Sequence, residues 1–83
     1  IDDHDKAAEC IMLGMRLDEG ICFEKFREKY GIDFFDFIDC DKKTLDDYIS
    51  RGYLEIKDGR IRFTTEGFYV SNYILADMLT FDV

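Results

Sequence analysis

Leu54-Glu55-Ile56-Lys57-Asp58-Gly59-Arg60-Ile61-Arg62-Phe63 is the stretch that decides the fold. Asp-Gly between two alternating runs is a strong hairpin signal, because a type I′ turn needs positive φ at both central residues. A two-residue loop at Asp58-Gly59 pairs Lys57 with Arg60, Ile56 with Ile61, Glu55 with Arg62 and Leu54 with Phe63. Apolar side chains then face apolar ones, and Glu55 meets Arg62 across the strands.

Working outward, Thr64 is placed to cap a following helix, with Glu66 in its first turn where a negative charge suits the dipole. Phe68, Val70, Tyr73, Ile74, Leu75, Met78, Leu79 and Phe81 give that last helix a very wide apolar face. On the other side, Asp41 can cap a helix running to Arg51, with Leu45, Tyr48 and Ile49 inward and Gly52 ending it. Further upstream, Ile32, Phe34, Phe35, Phe37 and Ile38 alternate with Asp33, Asp36 and Asp39, a pattern that fits a short helix or an irregular turn. Ile21 to Tyr30 reads as a helix with Phe23, Phe26 and Tyr30 on one face, stopped by Gly31. Asp5 to about Leu17 reads as the first helix, with Gly20 as a cap or turn. One of its stripes is Ala8, Ile11/Met12 and Met15; the other is Cys10, Leu13 and Leu17. A helix apolar on most sides is either central to the core or covered by another domain. The expected fold is mainly α (α+β) and winged-helix-like: three helices, a two-stranded β-hairpin wing and a long C-terminal helix.

Eighty-three residues with 16% aromatic content form one small domain with a dense core. Residues 1–83 are therefore read as a single domain with 1–5 as linker. Ile1 in place of Met, followed by Asp2-Asp3-His4-Asp5, points to a piece of a longer protein. No apolar run reaches the length of a membrane span. Cys10, Cys22 and Cys40 lack zinc or cluster spacing, and His4 is the one histidine. They read as reduced thiols in a cytoplasmic protein. The net charge is −8, split as −6 over residues 1–40, +1 over 41–63 and −3 over 64–83. The hairpin region is the one segment that is not acidic, but the whole field repels phosphate.

No catalytic triad, zinc helix or glycine-rich phosphate loop is written in the chain, so it carries no catalytic residues of its own. Arg16 is the one strong cation inside an apolar helix, and its guanidinium needs a partner. Glu19 or Glu9, each within reach on the same segment, is the expected one. Asp33, Asp36, Asp39 and Asp41 lack a calcium-loop pattern and read as a solvated acidic face. Lys57, Arg60 and Arg62 on the hairpin could touch phosphate, but outward charges also protect an exposed sheet edge.

One ordered set of blocks carries a family resemblance. It runs Glu9…Leu13-Gly14-Met15-Arg16-Leu17-Asp18-Glu19-Gly20-Ile21, Phe26…Tyr30-Gly31, Leu45…Ile49…Gly52-Tyr53-Leu54, and Ile61-Arg62-Phe63-Thr64…Gly67…Asn72-Tyr73-Ile74-Leu75. Across about residues 9–80 this resembles the C-terminal domain of the oxygen-independent coproporphyrinogen III oxidase family, including its heme-chaperone-like members. That family's first block reads roughly E-x3-LGLRL-x-EGI; Met15 departs from it, and the stretch between Ile32 and Asp41 is not distinctive.

The resemblance implies a radical S-adenosylmethionine parent enzyme with a [4Fe-4S] cluster on an upstream C-x3-C-x2-C motif, acting on tetrapyrrole propionates in heme biosynthesis. Cys10, Cys22 and Cys40 do not have that spacing, so cluster and S-adenosylmethionine belong to the upstream barrel. For this chain the implied role is accessory: packing on the barrel, with closure over the tetrapyrrole chamber as a further expectation. Ile11, Met15, Tyr73 and Met78 are the candidate interdomain contacts, and Arg16 is the candidate for a substrate propionate, second to its local ion pair. The alternatives are a winged-helix DNA-binding regulator and a protein-interaction domain. A regulator would want a basic recognition helix, whereas Asp41, Asp46 and Asp47 offset Lys42, Lys43 and Arg51, so no nucleic-acid partner is expected.

Overall fold

The computed structural model describes residues 3–79. Helix α1 (Asp3–Gly14) is followed by strand β1 (Ile21–Cys22) and helices α2 (Phe23–Tyr30), α3 (Phe34–Phe37) and α4 (Lys42–Ser50). Strands β2 (Leu54–Lys57) and β3 (Arg60–Phe63) follow, then helices α5 (Thr65–Tyr69) and α6 (Ser71–Met78). The domain is mainly helical with a small antiparallel sheet in the order β1-β3-β2.

The hairpin has the expected register at all four positions, Leu54 with Phe63 through Lys57 with Arg60. Asp58 and Gly59 take φ of 54° and 73°, the pair of left-handed residues that a type I′ turn requires. Arg62 and Glu55 form an ion pair at 2.9 Å. Ile61 is fully buried while Ile56 is 40% exposed, because β3 is the central strand and Ile56 sits on the edge strand.

Three expectations are corrected. Ile21 and Cys22 are a strand rather than the start of the second helix: Ile21 pairs with Ile61 and Cys22 with Arg60, and the Phe23 amide donates to the Gly59 carbonyl at 3.0 Å. The hairpin is thus part of a three-stranded sheet. The single long C-terminal helix is two helices, broken at Val70, whose φ of −113° and ψ of 18° leave the helical region. Its apolar pattern runs through the break, so nothing local announces it. The first helix starts at Asp3 rather than about Asp5, and ends at Gly14 rather than near Leu17. Ile1, Asp2 and Phe81 lie outside the described residues.

The helix ends follow their local chemistry. The Asp41 carboxylate accepts from the Thr44 amide at 2.8 Å to open α4. Asp33 does the same for Phe35 at the start of α3, at 3.1 Å. Thr64 Oγ1 accepts from the Gly67 amide at 3.1 Å and donates to the Gly52 carbonyl at 2.5 Å, tying the start of α5 to the end of α4.

The core lies between the sheet and the helices. Phe34 is fully buried, with the rings of Phe23, Phe35 and Phe26 centred 5.3, 5.5 and 5.7 Å away. Ile11, Met15, Ile61, Leu54, Ile74 and Met78 are also buried. The first helix gives Ala7 and Ile11 to this core and leaves Leu13 exposed. Two backbone bonds bind distant segments into this core: Phe63 N–H to the Met15 carbonyl at 2.8 Å, and Asp39 N–H to the Met78 carbonyl at 2.6 Å. Among the described residues no helix is long and apolar enough to cross a membrane.

Candidate functional site

The site of interest forms where α1 hands over to the sheet. After Gly14 the chain leaves the helix, and the Met15 carbonyl is held by β3 through Phe63. Met15 points into the core, so its neighbour Arg16 lies at the boundary between core and solvent. The break at Val70 starts α6 at Ser71, opposite Arg16. Arg16 Nε donates to Ser71 Oγ at 3.3 Å, and Arg16 Nη2 donates to Asn72 Oδ1 at 2.9 Å. Ser71 is buried.

This corrects the expectation of a carboxylate partner. Neither Glu19 nor Glu9 forms an ion pair with Arg16; Ser71 and Asn72 hold it instead. The physical reason is reach: beyond the end of α1 the guanidinium is directed to Ser71 and Asn72 at the start of α6. Its partners are neutral, so they hold its geometry without cancelling its charge.

A cleft of about 180 Å³ opens beside it, lined by Arg16, Asp18, Arg62, Thr65, Phe68 and Tyr69 among others. Phe68 is 51% exposed and Tyr69 82%, and their rings meet edge to face with centroids 6.4 Å apart. Leu13, Leu17 and Tyr73 are exposed apolar residues close in sequence to Arg16 or Asn72. Of the four residues expected at an interdomain contact, Tyr73 alone is at the surface. Ile11, Met15 and Met78 are buried in the core cluster.

Two further depressions border the cysteines. One of about 380 Å³ is bounded by Phe35, Ile38, Cys40, Leu45 and Ile56. Another of about 250 Å³ is bounded by Cys10, Cys22, Tyr30, Lys25, Lys29 and Arg60. Cys40 lies on the first and Cys10 and Cys22 on the second, so the three thiols do not converge on one centre. All three are half-buried and free of disulfides. Among the described residues no group of three or more His, Cys, Asp or Glu is placed to hold a metal ion.

Burial, together with negative Asp41 and Asp77 nearby, pushes the Cys40 thiol above its ordinary pKa, which leaves it a weak nucleophile. The Tyr48 hydroxyl donates to Asp77 Oδ2, linking α4 to α6. Burial first, then that hydrogen bond, pushes the Tyr48 pKa up to about 12. On the hairpin, Arg62 is engaged by Glu55 and Arg60 reaches the Glu19 carbonyl at 3.5 Å.

Sequence reasoning found Arg16 but missed Ser71, Arg62, Thr65, Phe68 and Tyr69 as its surroundings. Ser71 and Asn72 stand 55 and 56 residues away, beyond any local pattern. The one signal was Asn72 beside the apolar run Tyr73-Ile74-Leu75.

No curated protein and no solved structure matches the chain. The family model described as the HemN C-terminal domain matches residues 1–70, so the match takes in every element from α1 to α5 and stops where α6, with Ser71 and Asn72, begins. The match covers most of the 83 residues, and the chain belongs to the HemN C-terminal domain family.

Proposed function

We propose that this chain is the accessory C-terminal domain of an oxygen-independent coproporphyrinogen III oxidase-like protein. The observation that carries the reading is the family match over residues 1–70. The catalytic chemistry, with its [4Fe-4S] cluster and S-adenosylmethionine, resides in a radical-enzyme barrel upstream in the same polypeptide, in the cytoplasm. The domain packs on that barrel through the face bearing Leu13, Leu17, Phe68, Tyr69 and Tyr73, and closes the tetrapyrrole chamber. The exposure of five large apolar side chains on so small a domain supports this face. Its element order, with the β2–β3 hairpin following α4, supports a winged-helix-like arrangement.

A DNA-binding role is less well supported. The hairpin cations Arg60 and Arg62 already have partners, and α4 carries Asp46 and Asp47 on a chain of net charge −8. The test is to read the coding sequence upstream of Ile1 and express the longer polypeptide under anaerobic conditions. A C-x3-C-x2-C motif that takes up an iron–sulfur cluster, with tetrapyrrole decarboxylation, is expected. An upstream region with neither motif nor cluster would overturn the reading.

A further inference from the structure

We infer that the cleft between α1, β1 and α2 is a thiol-modification site, at which Cys22 exchanges with a small anionic disulfide and is left as a mixed disulfide. None of the apolar side chains assigned to the barrel face lines this cleft. Two of the three cysteines, Cys10 and Cys22, open onto it, and so do Lys25, Lys29 and Arg60. In a chain of net charge −8, with 19 acidic residues against 11 basic ones, that gathering of cations beside two thiols runs against the composition. Lys25 and Lys29 stand four residues apart on α2 and share a face. Arg60 is the cross-strand partner of Cys22 in the β1–β3 ladder, which puts the two side chains on one face of the sheet. The Arg60 guanidinium reaches a neutral group, the Glu19 carbonyl at 3.5 Å, so its charge is not cancelled there. Among the described residues, Glu19 is the one acidic residue on the wall.

The chemistry follows from these neighbours. Cys22 is half-buried, and its side chain makes no capping hydrogen bond to α2, so the sulfur is uncommitted. A cysteine beside Lys and Arg, and partly open to solvent, is in the setting where thiol–disulfide exchange proceeds readily. The same cations hold the carboxylates of an anionic reagent. The Cys22 sulfur, its proton lost to water, attacks one sulfur of the incoming disulfide. A new S–S bond joins Cys22 to one half of the reagent, the reagent's own S–S bond breaks, and the other half leaves as a thiolate that takes a proton from water. Cys22 is oxidised and the departing half is reduced, so no further oxidant is needed. The cleft, of about 250 Å³, suits a small-molecule disulfide rather than one borne on a protein. Cys10 lines the cleft from α1, beside the Tyr30 hydroxyl. Cys40 is the internal contrast: it borders a different depression and lies near Asp39, Asp41 and Asp77, which repel an anionic reagent. The inference is independent of the tetrapyrrole reading.

The test is exchange of the reduced 83-residue chain with anionic glutathione disulfide and with cationic cystamine, followed by intact mass and peptide mapping. Glutathione disulfide should add one glutathionyl group, at Cys22 first. Because each reagent has its own intrinsic reactivity, the readout is a quotient: the glutathione-to-cystamine rate ratio at Cys22, divided by the same ratio at Cys40. It should reach about tenfold at low salt and shrink as salt is raised. Lys25→Gln combined with Lys29→Gln, at two exposed positions, should lower the quotient about threefold or more. The proposal is overturned by labelling of Cys10 or Cys40 ahead of Cys22, by a quotient near one, or by an undiminished quotient in the folded double variant. If that variant does not fold, the unaltered chain decides: a quotient insensitive to salt overturns the proposal equally.

Discussion

Gly67→Ala tests how closely α5 lies on the chain that enters β2. Gly67 is buried, and a Cβ there would run into the Tyr53 carbonyl oxygen, with the Tyr53 carbonyl carbon at 2.7 Å and Cα at 3.0 Å. That oxygen already accepts from the Thr64 amide at 3.0 Å and the Thr64 hydroxyl at 3.3 Å. The obstacle is backbone, so it cannot rotate away, and separation of the two segments weakens the Thr64 cap as well. Overpacking of this kind costs about 3 kcal/mol at its upper end, and loosening the cap adds about 1 kcal/mol. Alanine returns about 1 kcal/mol of helix propensity. The net is about 3 kcal/mol of lost stability, or a fall in Tm of about 12–24 °C for a domain this size. Gly59→Ala is the control: no atom lies within 4 Å of its Cβ, and only the left-handed turn conformation costs, at about 1 kcal/mol. Thermal melts followed by circular dichroism decide. If Gly67→Ala melts within a few degrees of the parent, or above Gly59→Ala, the close approach of α5 to Tyr53 is wrong.

Three further outcomes are expected. Tyr48, whose pKa is pushed up to about 12, should be the last tyrosine to ionise; because the folded value exceeds the unfolded one, its contribution is complete below about pH 10 and is lost as pH rises toward 12. Phenolate absorbance should lose its latest phase in Tyr48→Phe, and a late phase that survives would contradict the assignment. The Glu55–Arg62 pair, with both side chains more than a third exposed, should show a coupling of about 0.5 kcal/mol in a double-mutant cycle, shrinking with salt; a coupling of several kcal/mol would mean that the pair is far drier than its exposure implies. Duplex DNA should not be shifted in a gel by micromolar protein at roughly 100 mM salt, and a clear shift would revive the regulator reading.

What was legible in the sequence was local. The hairpin register followed from a period of two around Asp58-Gly59, and the caps at Asp41 and Thr64 from one side-chain oxygen each. Strand β1 was not legible, because two residues carry no periodicity and its identity comes from β3, some forty positions downstream. The break at Val70 was hidden by an apolar pattern that continues across it. Ile11, Met15 and Met78 could be read as apolar but not as inward: that depends on tertiary packing into one buried cluster drawn from distant parts of the chain. Arg16 stood out as a cation among apolar residues, yet its partners lie on α6, and a search for nearby carboxylates pointed to the wrong chemistry.

The central claim is that this domain serves a catalytic barrel in the same polypeptide, and association in trans measures it most directly. The barrel region of the proposed longer polypeptide, expressed without this domain, is titrated with the 83-residue chain under anaerobic conditions while complex formation and tetrapyrrole decarboxylation are followed. The account predicts a one-to-one complex that restores activity, weakened when Tyr73 and Phe68 are replaced by Asp. A barrel that is fully active alone and does not bind the domain would contradict it.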